Sequence, residues 1–179
     1  MMPRIFRSAF AVFGGALLLA GCNAPRVTLC PGAAILADAA IRPVPKPGAM
    51  AVDPSALLYT VEMTGVTQTC RLDTRAGEAR SDIRFTFRAT RAPTGQAARY
   101  NVPYFIAVNQ GDRIITKRVL SLAVDFPAGA AVVTFNTALD ASVLKMENGR
   151  LPTDYQYLAG LEISASERGF LPAMGRTAP

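Results

Sequence analysis

The stretch Asp82–Thr90 alternates strictly between apolar and polar side chains, and it constrains the fold more than any other part of the chain. The apolar positions are Ile83, Phe85, Phe87 and Ala89. Because successive side chains of a strand point to opposite faces, this alternation predicts a strand with one buried face and one solvated face. Such strands are typical of an antiparallel sheet that packs on a core.

Further strands are predicted at short intervals on both sides of this stretch. These segments are rich in Thr, Val, Tyr or Phe, and turn-forming residues separate them. They are Leu57–Leu72, Tyr100–Val108, Arg113–Phe126, Ala131–Thr137 and Tyr155–Ala165, and Val27–Cys30 would add a seventh. Gly65 is expected to mark a bulge and Gly111 a hairpin turn. One helical turn is expected in Leu139–Glu147. With no long amphipathic helix, the pattern predicts an all-β antiparallel sandwich of about seven strands.

The first two dozen residues have the composition of a secretion signal. Met1–Arg7 is short and positively charged, and Ser8–Ala20 is almost wholly apolar. A charged start, a brief apolar run and a small-residue exit are typical of a cleaved signal. The run is too short for a comfortable membrane span, which needs roughly 20 residues.

The end of this signal, Leu19-Ala20-Gly21-Cys22, resembles the lipobox of bacterial lipoproteins. The resemblance implies that residues 1–21 are removed and that Cys22 carries acyl chains on its sulfur and its amino group. Several acyl chains on one residue give durable membrane anchoring. In enteric bacteria an Asp after the lipidated Cys retains lipoproteins in the inner membrane. Asn23 stands at that place, so the resemblance implies the periplasmic side of the outer membrane, with the inner membrane as the alternative. The alternatives are an uncleaved anchor, or an ordinary signal with a coincidental Cys.

Lipidation of Cys22 would leave two thiols, Cys30 and Cys70. We expect them to form a disulfide, because exported proteins fold in an oxidising compartment. A redox-active pair is the alternative, and the absence of a Cys-x-x-Cys spacing disfavours it.

The mature chain divides into three predicted parts. Residues 22–55 would be a lipidated tether and a Pro-rich connector. Within them, Pro31–Ala40 could form a short helix or an irregular edge, and Ile41–Pro54 would have no regular structure. Residues 56–166 would form the sandwich, and residues 167–179 a loose tail.

The segment Leu151–Tyr157 resembles the tyrosine corner of immunoglobulin-like and fibronectin-III-like domains, in which a Tyr hydroxyl bonds to backbone across a corner. Tyr155 or Tyr157 would take that role. The chain has no Trp, and Cys30 and Cys70 depart from the immunoglobulin spacing, so a sandwich that is merely immunoglobulin-like or fibronectin-III-like is favoured. The whole pattern also resembles small uncharacterised proteobacterial lipoproteins, which have no known activity to transfer.

The composition restricts the chemistry of the chain. There is no His, so Ser-His-Asp, Cys-His and zinc-His sites are impossible. Ser142 and Lys145 would face each other on a helical turn and form a weak catalytic candidate. Asp73, Glu78 and Asp82 flank one turn and are expected to be solvated turn acids, a carboxylate pair or weak calcium site being the alternatives. No cofactor or metal is expected.

The charge does not indicate nucleic-acid binding. The formal net charge is +6, which falls to +4 when Arg4 and Arg7 are removed with the signal. The basic residues are scattered and form no stripe with interleaved aromatics. The lipobox resemblance instead implies the membrane, reached through the lipid, and an envelope protein as the expected partners.

Three functions remain open at this point. The first is a non-catalytic accessory or adaptor lipoprotein that presents a β-sandwich to an envelope complex. The second is a carrier of a lipid or other hydrophobic ligand, which requires a cavity between the sheets. The third is a hydrolase that uses carboxylates alone. The strand aromatics would fill a packed core in the first case and line a pocket in the second.

Overall fold

A computed structural model describes residues 29–49, 53–93 and 95–175. Within these ranges, eight strands form two four-stranded sheets, which confirms the predicted all-β sandwich. The strands are β1 (Gly32–Ile35), β2 (Ile41–Pro45), β3 (Leu57–Asp73), β4 (Glu78–Arg91), β5 (Ala98–Gln110), β6 (Arg113–Phe126), β7 (Val132–Lys145) and β8 (Tyr155–Leu161). A four-residue helix, α1 (Ala165–Arg168), follows β8. The described ranges contain no helix that is long and apolar enough to cross a membrane.

The strand order is β2-β3-β4-β7 in the first sheet and β1-β8-β5-β6 in the second. All neighbours are antiparallel except β1 and β8, which run parallel. Constant-type immunoglobulin domains have the orders 1-2-5-4 and 3-6-7. The chain therefore shares the layered sandwich with those domains but connects its strands differently.

The alternation predicted for Asp82–Thr90 is present in β4: the apolar side chains of this stretch are buried, and its polar side chains are exposed or partly exposed. Phe85 and Phe87 meet Tyr104 of the opposite sheet edge-on, with ring centroids 6.4 and 5.8 Å apart. Phe87 also stacks on Phe135 at 5.5 Å. These aromatics fill the core between the sheets, whereas Phe105 lies half-buried on the outer face of the second sheet, where its ring lies beneath Lys117.

The predicted start of the sandwich at residue 56 is wrong, because β1 and β2 lie within the segment assigned to a connector. β1 pairs with β8, and β2 pairs with β3. Pro43 and Pro45 belong to β2, which is an edge strand of the first sheet. Half of the N–H groups of an edge strand point away from the sheet, so proline is tolerated there.

Two predictions near the C-terminus are also wrong. The helical turn expected in Leu139–Glu147 is the second half of β7, which continues its pairing with β4 to Lys145. The predicted loose tail is ordered as far as residue 175. In that segment α1 holds a buried Glu167, and Phe170 and Leu171 are buried behind it. The predicted signal peptide (residues 1–21), Cys22 and residues 176–179 lie outside the described residues.

Candidate functional site

One side of the sandwich is open, and it lies between β6 and β7. Each of these strands ends its sheet: β6 pairs with β5 and β7 pairs with β4. A cavity of about 390 Å³ lies between them, which we call the β6–β7 groove. Its apolar lining consists of Ile106, Val108, Leu120, Leu139, Ala141, Val143 and Leu144. Polar side chains of Thr116, Arg118, Asp140, Ser142 and Tyr157 complete the lining.

The β7 side of the groove carries a bulge. The register between β4 and β7 shifts between Ser81 and Ile83, and Ala141 adopts φ 51°, in the left-handed region. The side chain of Asp82 accepts a hydrogen bond from the Ala141 amide at 2.8 Å, which holds the bulge. A left-handed non-glycine residue costs on the order of 1–3 kcal/mol and is maintained only by its surroundings. Bulges of this kind bend a strand and end its regular pairing.

The first half of β6 is exposed on both of its faces. All seven residues from Arg113 to Val119 are exposed, whereas the inward-facing residues of the second half are buried. Ile114 and Val119 are 65% and 57% exposed, which is unusual for large apolar side chains in such a strand. An exposed edge with apolar side chains and unpaired backbone groups is a surface to which another strand can add.

Two basic residues of this edge are held in ion pairs. The guanidinium of Arg113 lies 2.5 Å from Glu147, and the ammonium of Lys117 lies 2.7 Å from Glu162. Lysine on an edge strand opposes uncontrolled edge-to-edge aggregation. Arg118 and Asp140, on the rim of the groove, form no ion pair within the described ranges.

The two tyrosines of the predicted corner occupy different surroundings. The hydroxyl of buried Tyr155 accepts hydrogen bonds from the Glu147 amide at 2.8 Å and from the Gln110 side chain at 3.3 Å. The Tyr157 hydroxyl lies 3.2 Å from Oγ of Ser142 and lines the β6–β7 groove. The backbone bond across the corner is thus made by Tyr155, and Tyr157 contributes to the candidate site.

The proposed Ser142–Lys145 pair is not formed. Both residues lie on β7 instead of a helical turn, and a separation of three residues along a strand places their side chains on opposite faces. Ser142 contacts Tyr157, whereas Lys145 pairs in register with Glu78.

Each of the three turn acids has a local structural partner. Asp73 accepts from the amides of Arg75 and Ala76 within the β3–β4 turn, at 3.1 and 3.0 Å. Glu78 pairs with Arg80, and Asp82 holds the β7 bulge. Among the described residues, no group of three His, Cys, Asp or Glu side chains could hold a metal ion.

The predicted disulfide between Cys30 and Cys70 is confirmed, with the two Cα atoms 5.9 Å apart. Cys30 precedes β1 in the second sheet, and Cys70 belongs to β3 in the first sheet. The bond therefore ties the two sheets together near the point where the described chain begins.

A second, polar cavity of about 730 Å³ lies at the end of the sandwich that carries the Cys30–Cys70 disulfide. We call this the tether end: it comprises Leu29–Gly32, the β5–β6 turn with its flanking residues Asn109–Ile114, and the β7–β8 loop. The cavity is lined by Gly32, Gln110, Arg113, Arg150, Asp154 and Gln156, among others. The Arg113 side chain, through its hydrogen bond, holds the pKa of the Glu147 carboxyl below its usual range, with smaller contributions from Gln110 and Arg150.

Two buried charged residues, Arg91 and Glu167, were not predicted from the sequence. Arg91 donates to the carbonyls of Ala130, Gln96 and Pro127 and lies 4.6 Å above the ring of Phe126. The burial of Arg91 could have been predicted, because the two-residue period of a strand places residue 91 on the buried face of β4. The Arg42–Glu167 pair, at 2.9 Å, had no local signal, since it joins β2 to α1 across 125 residues.

Comparisons with known proteins place no further constraint on the site: no family model, no curated protein and no solved structure matches the chain.

Proposed function

We propose that this protein is a non-catalytic accessory lipoprotein of the bacterial cell envelope. Acyl chains on Cys22 would anchor it on the periplasmic side of the outer membrane, and the sandwich would present its open edge to a partner protein. The lipobox-like Leu19-Ala20-Gly21-Cys22 supports the anchor. The disulfide supports an oxidising compartment, such as the periplasm.

The adaptor role depends on the open first half of β6. A partner's extended segment could add to this strand through backbone hydrogen bonds. Because side chains alternate along a strand, every second side chain of the added segment would point into the β6–β7 groove. Ile106, Val108 and Leu120 would then cover apolar side chains of the partner, and Arg118 and Asp140 would select its charges.

The test is site-specific crosslinking in intact cells. A photoreactive amino acid at Val119, on the open edge, is expected to capture one envelope protein in stoichiometric amount. The matched control carries the same group at Thr67, an exposed residue of the central strand β3. Val119→Lys in a second strain should reduce recovery of the partner by affinity purification, because edge lysines oppose strand addition. Equal capture from Thr67, or no protein captured from Val119, would contradict the proposal.

A second function, carriage of a lipid or other hydrophobic ligand, is favoured by the volume of the β6–β7 groove. At about 390 Å³ and with a largely apolar lining, the groove is within the size range of small-molecule sites, about 300–1,000 Å³. Native mass spectrometry of the protein purified from membranes would show a bound lipid, and Leu139→Trp, which fills the groove, would abolish it. A bound lipid without a captured protein would replace the adaptor by the carrier.

A further inference from the structure

The described chain begins at the tether end of the sandwich. Leu29 adjoins Cys30, which is fixed to β3 by the disulfide, and Gly32 lines the polar cavity there. Seven peptide links separate Leu29 from Cys22, and they span at most about 25 Å. If Cys22 is acylated, as the proposed function states, this end is held within that distance of the bilayer.

The opposite end is not constrained in this way. β4 extends from Glu78, beside the tether end, to Arg91, and 14 residues of strand cover roughly 45 Å. This length exceeds the reach of the tether. An acylated Cys22 would therefore keep the tether end, and not necessarily the opposite end, within the tether's reach of the bilayer.

The tether end carries exposed apolar side chains that the fold does not use. Leu29, Ile114 and Leu151 are 43%, 65% and 56% exposed. Ile114 and Leu151 each follow an arginine, Arg113 and Arg150, that lines the cavity. Such apolar side chains suit the boundary between headgroups and acyl chains of a bilayer.

The two arginines supply the complementary polar chemistry. A guanidinium binds phosphate oxygens in a bidentate manner and is weakly hydrated, so it suits lipid phosphates at an interface. Arg113 already forms a salt bridge with Glu147, whereas Arg150 forms no salt bridge within the described ranges. Arg150 is thus the guanidinium that is best placed to donate hydrogen bonds to a phosphate.

We propose that the tether end is a second membrane-contact surface. Arg150, assisted by Arg113, binds the phosphate of a phospholipid headgroup, and Leu29, Ile114 and Leu151 enter the interface. This contact orients the sandwich on the membrane, with the exposed half of β6 beginning at the bilayer surface. The inference extends the proposed lipid anchor and is tested without it.

The test uses the whole chain after residue 21, with Cys22→Ser so that acyl chains are absent. Binding is measured by cosedimentation with vesicles of phosphatidylglycerol and phosphatidylcholine. Arg150→Gln is expected to weaken binding about fivefold, since one arginine near an anionic surface contributes about 1 kcal/mol. Leu151→Ser should weaken it further. Vesicles of phosphatidylcholine alone should bind less.

The matched controls lie at the opposite end. Arg99→Gln changes an arginine on β5 that is exposed to a similar degree as Arg113, and Val132→Ser changes a residue on β7 that is 53% exposed. Neither should alter binding. An equal loss in these controls, or no vesicle binding by the Cys22→Ser chain, would overturn the proposal.

Two further measurements separate the sources of failure. If inorganic phosphate displaces the protein from vesicles at low millimolar concentration and binds it in solution, the arginines serve a soluble anion, and the lipid proposal is overturned. Mass spectrometry of the mature chain from cells tests acylation of Cys22 independently. A bare Cys22 would defeat the anchor while leaving the vesicle result to stand on its own.

Discussion

Loss of the Cys30–Cys70 disulfide should cost about 4 kcal/mol of unfolding free energy. The two residues are 40 apart in sequence. In the chain-entropy model, a cross-link that closes a loop of that length removes about 13 cal/mol/K from the unfolded chain, which gives about 4 kcal/mol at 25 °C. Both cysteines are partly exposed, so serine at either position adds little cost of its own.

Urea unfolding of the mature chain measures this loss. The oxidised wild type is compared with a Cys30→Ser/Cys70→Ser variant and with the wild type after reduction. For a urea m-value of about 2 kcal/mol/M, the unfolding midpoint should fall by about 2 M both in the double serine variant and in the reduced wild type. A fall of less than about 0.5 M would refute the reasoning, as would a reduced wild type that is as stable as the oxidised protein.

Three further outcomes are expected. Gly160→Ala should destabilise the fold by about 1–3 kcal/mol in thermal unfolding, because its Cβ would lie 2.6 Å from the Cβ of Ala39 and 2.7 Å from the Phe105 ring; the same loss in an Ala39→Gly/Phe105→Leu background would contradict this. Tyr155→Phe should cost about 1 kcal/mol and speed hydrogen exchange of the Glu147 amide, which loses its acceptor; unchanged exchange would contradict it. Burial raises the pKa of the Tyr59 hydroxyl in the folded protein above its ordinary value of 10.0. The stability that the protonated hydroxyl contributes is therefore fully present below pH 10 and is lost as pH rises through the folded pKa. Tyr59→Phe should therefore flatten the alkaline decline in urea-measured stability, and an unaltered decline would exclude Tyr59 as its cause.

The parts of the fold that follow from local patterns were predictable. The alternation of Asp82–Thr90 gave β4 because one buried and one solvated face require it. Gly65 marks a bulge at the register shift in β3, as expected, since a residue without a side chain tolerates an irregular ladder. Gly111 adopts a positive φ in the β5–β6 turn, which glycine does without cost.

The remaining strands depend on distant partners. β1 is four residues long and rich in Ala, so its sequence has no strand signal, and its pairing with β8 determines it. The apolar spacing in Leu139–Glu147 suits a helical turn, yet β7 continues there because its pairing with β4 satisfies the backbone over the whole edge. Tertiary context overrides local preference in both segments.

The candidate site was not predictable, because it depends on strand order. Nothing local indicates that β6 and β7 end their sheets on the same side, or that Ala141 adopts a left-handed conformation. The tether end was not predictable from local sequence either, since Leu29, Ile114 and Leu151 come from three distant segments of the chain. The cysteines and the lipobox-like segment were visible in the sequence, because covalent chemistry depends on residue type and not on fold.

The position of the disulfide connects the proposed anchor to the stability of the sandwich. A load on Cys22 would reach the domain first at Cys30, just ahead of β1. β1 is bound to its sheet by four residues of parallel pairing, which alone would resist little. The bond to Cys70 passes that load to β3, which pairs with β2 and β4 in the other sheet. Without the disulfide, β1 should therefore lose hydrogen-exchange protection before the rest of the domain, and β3 should retain it.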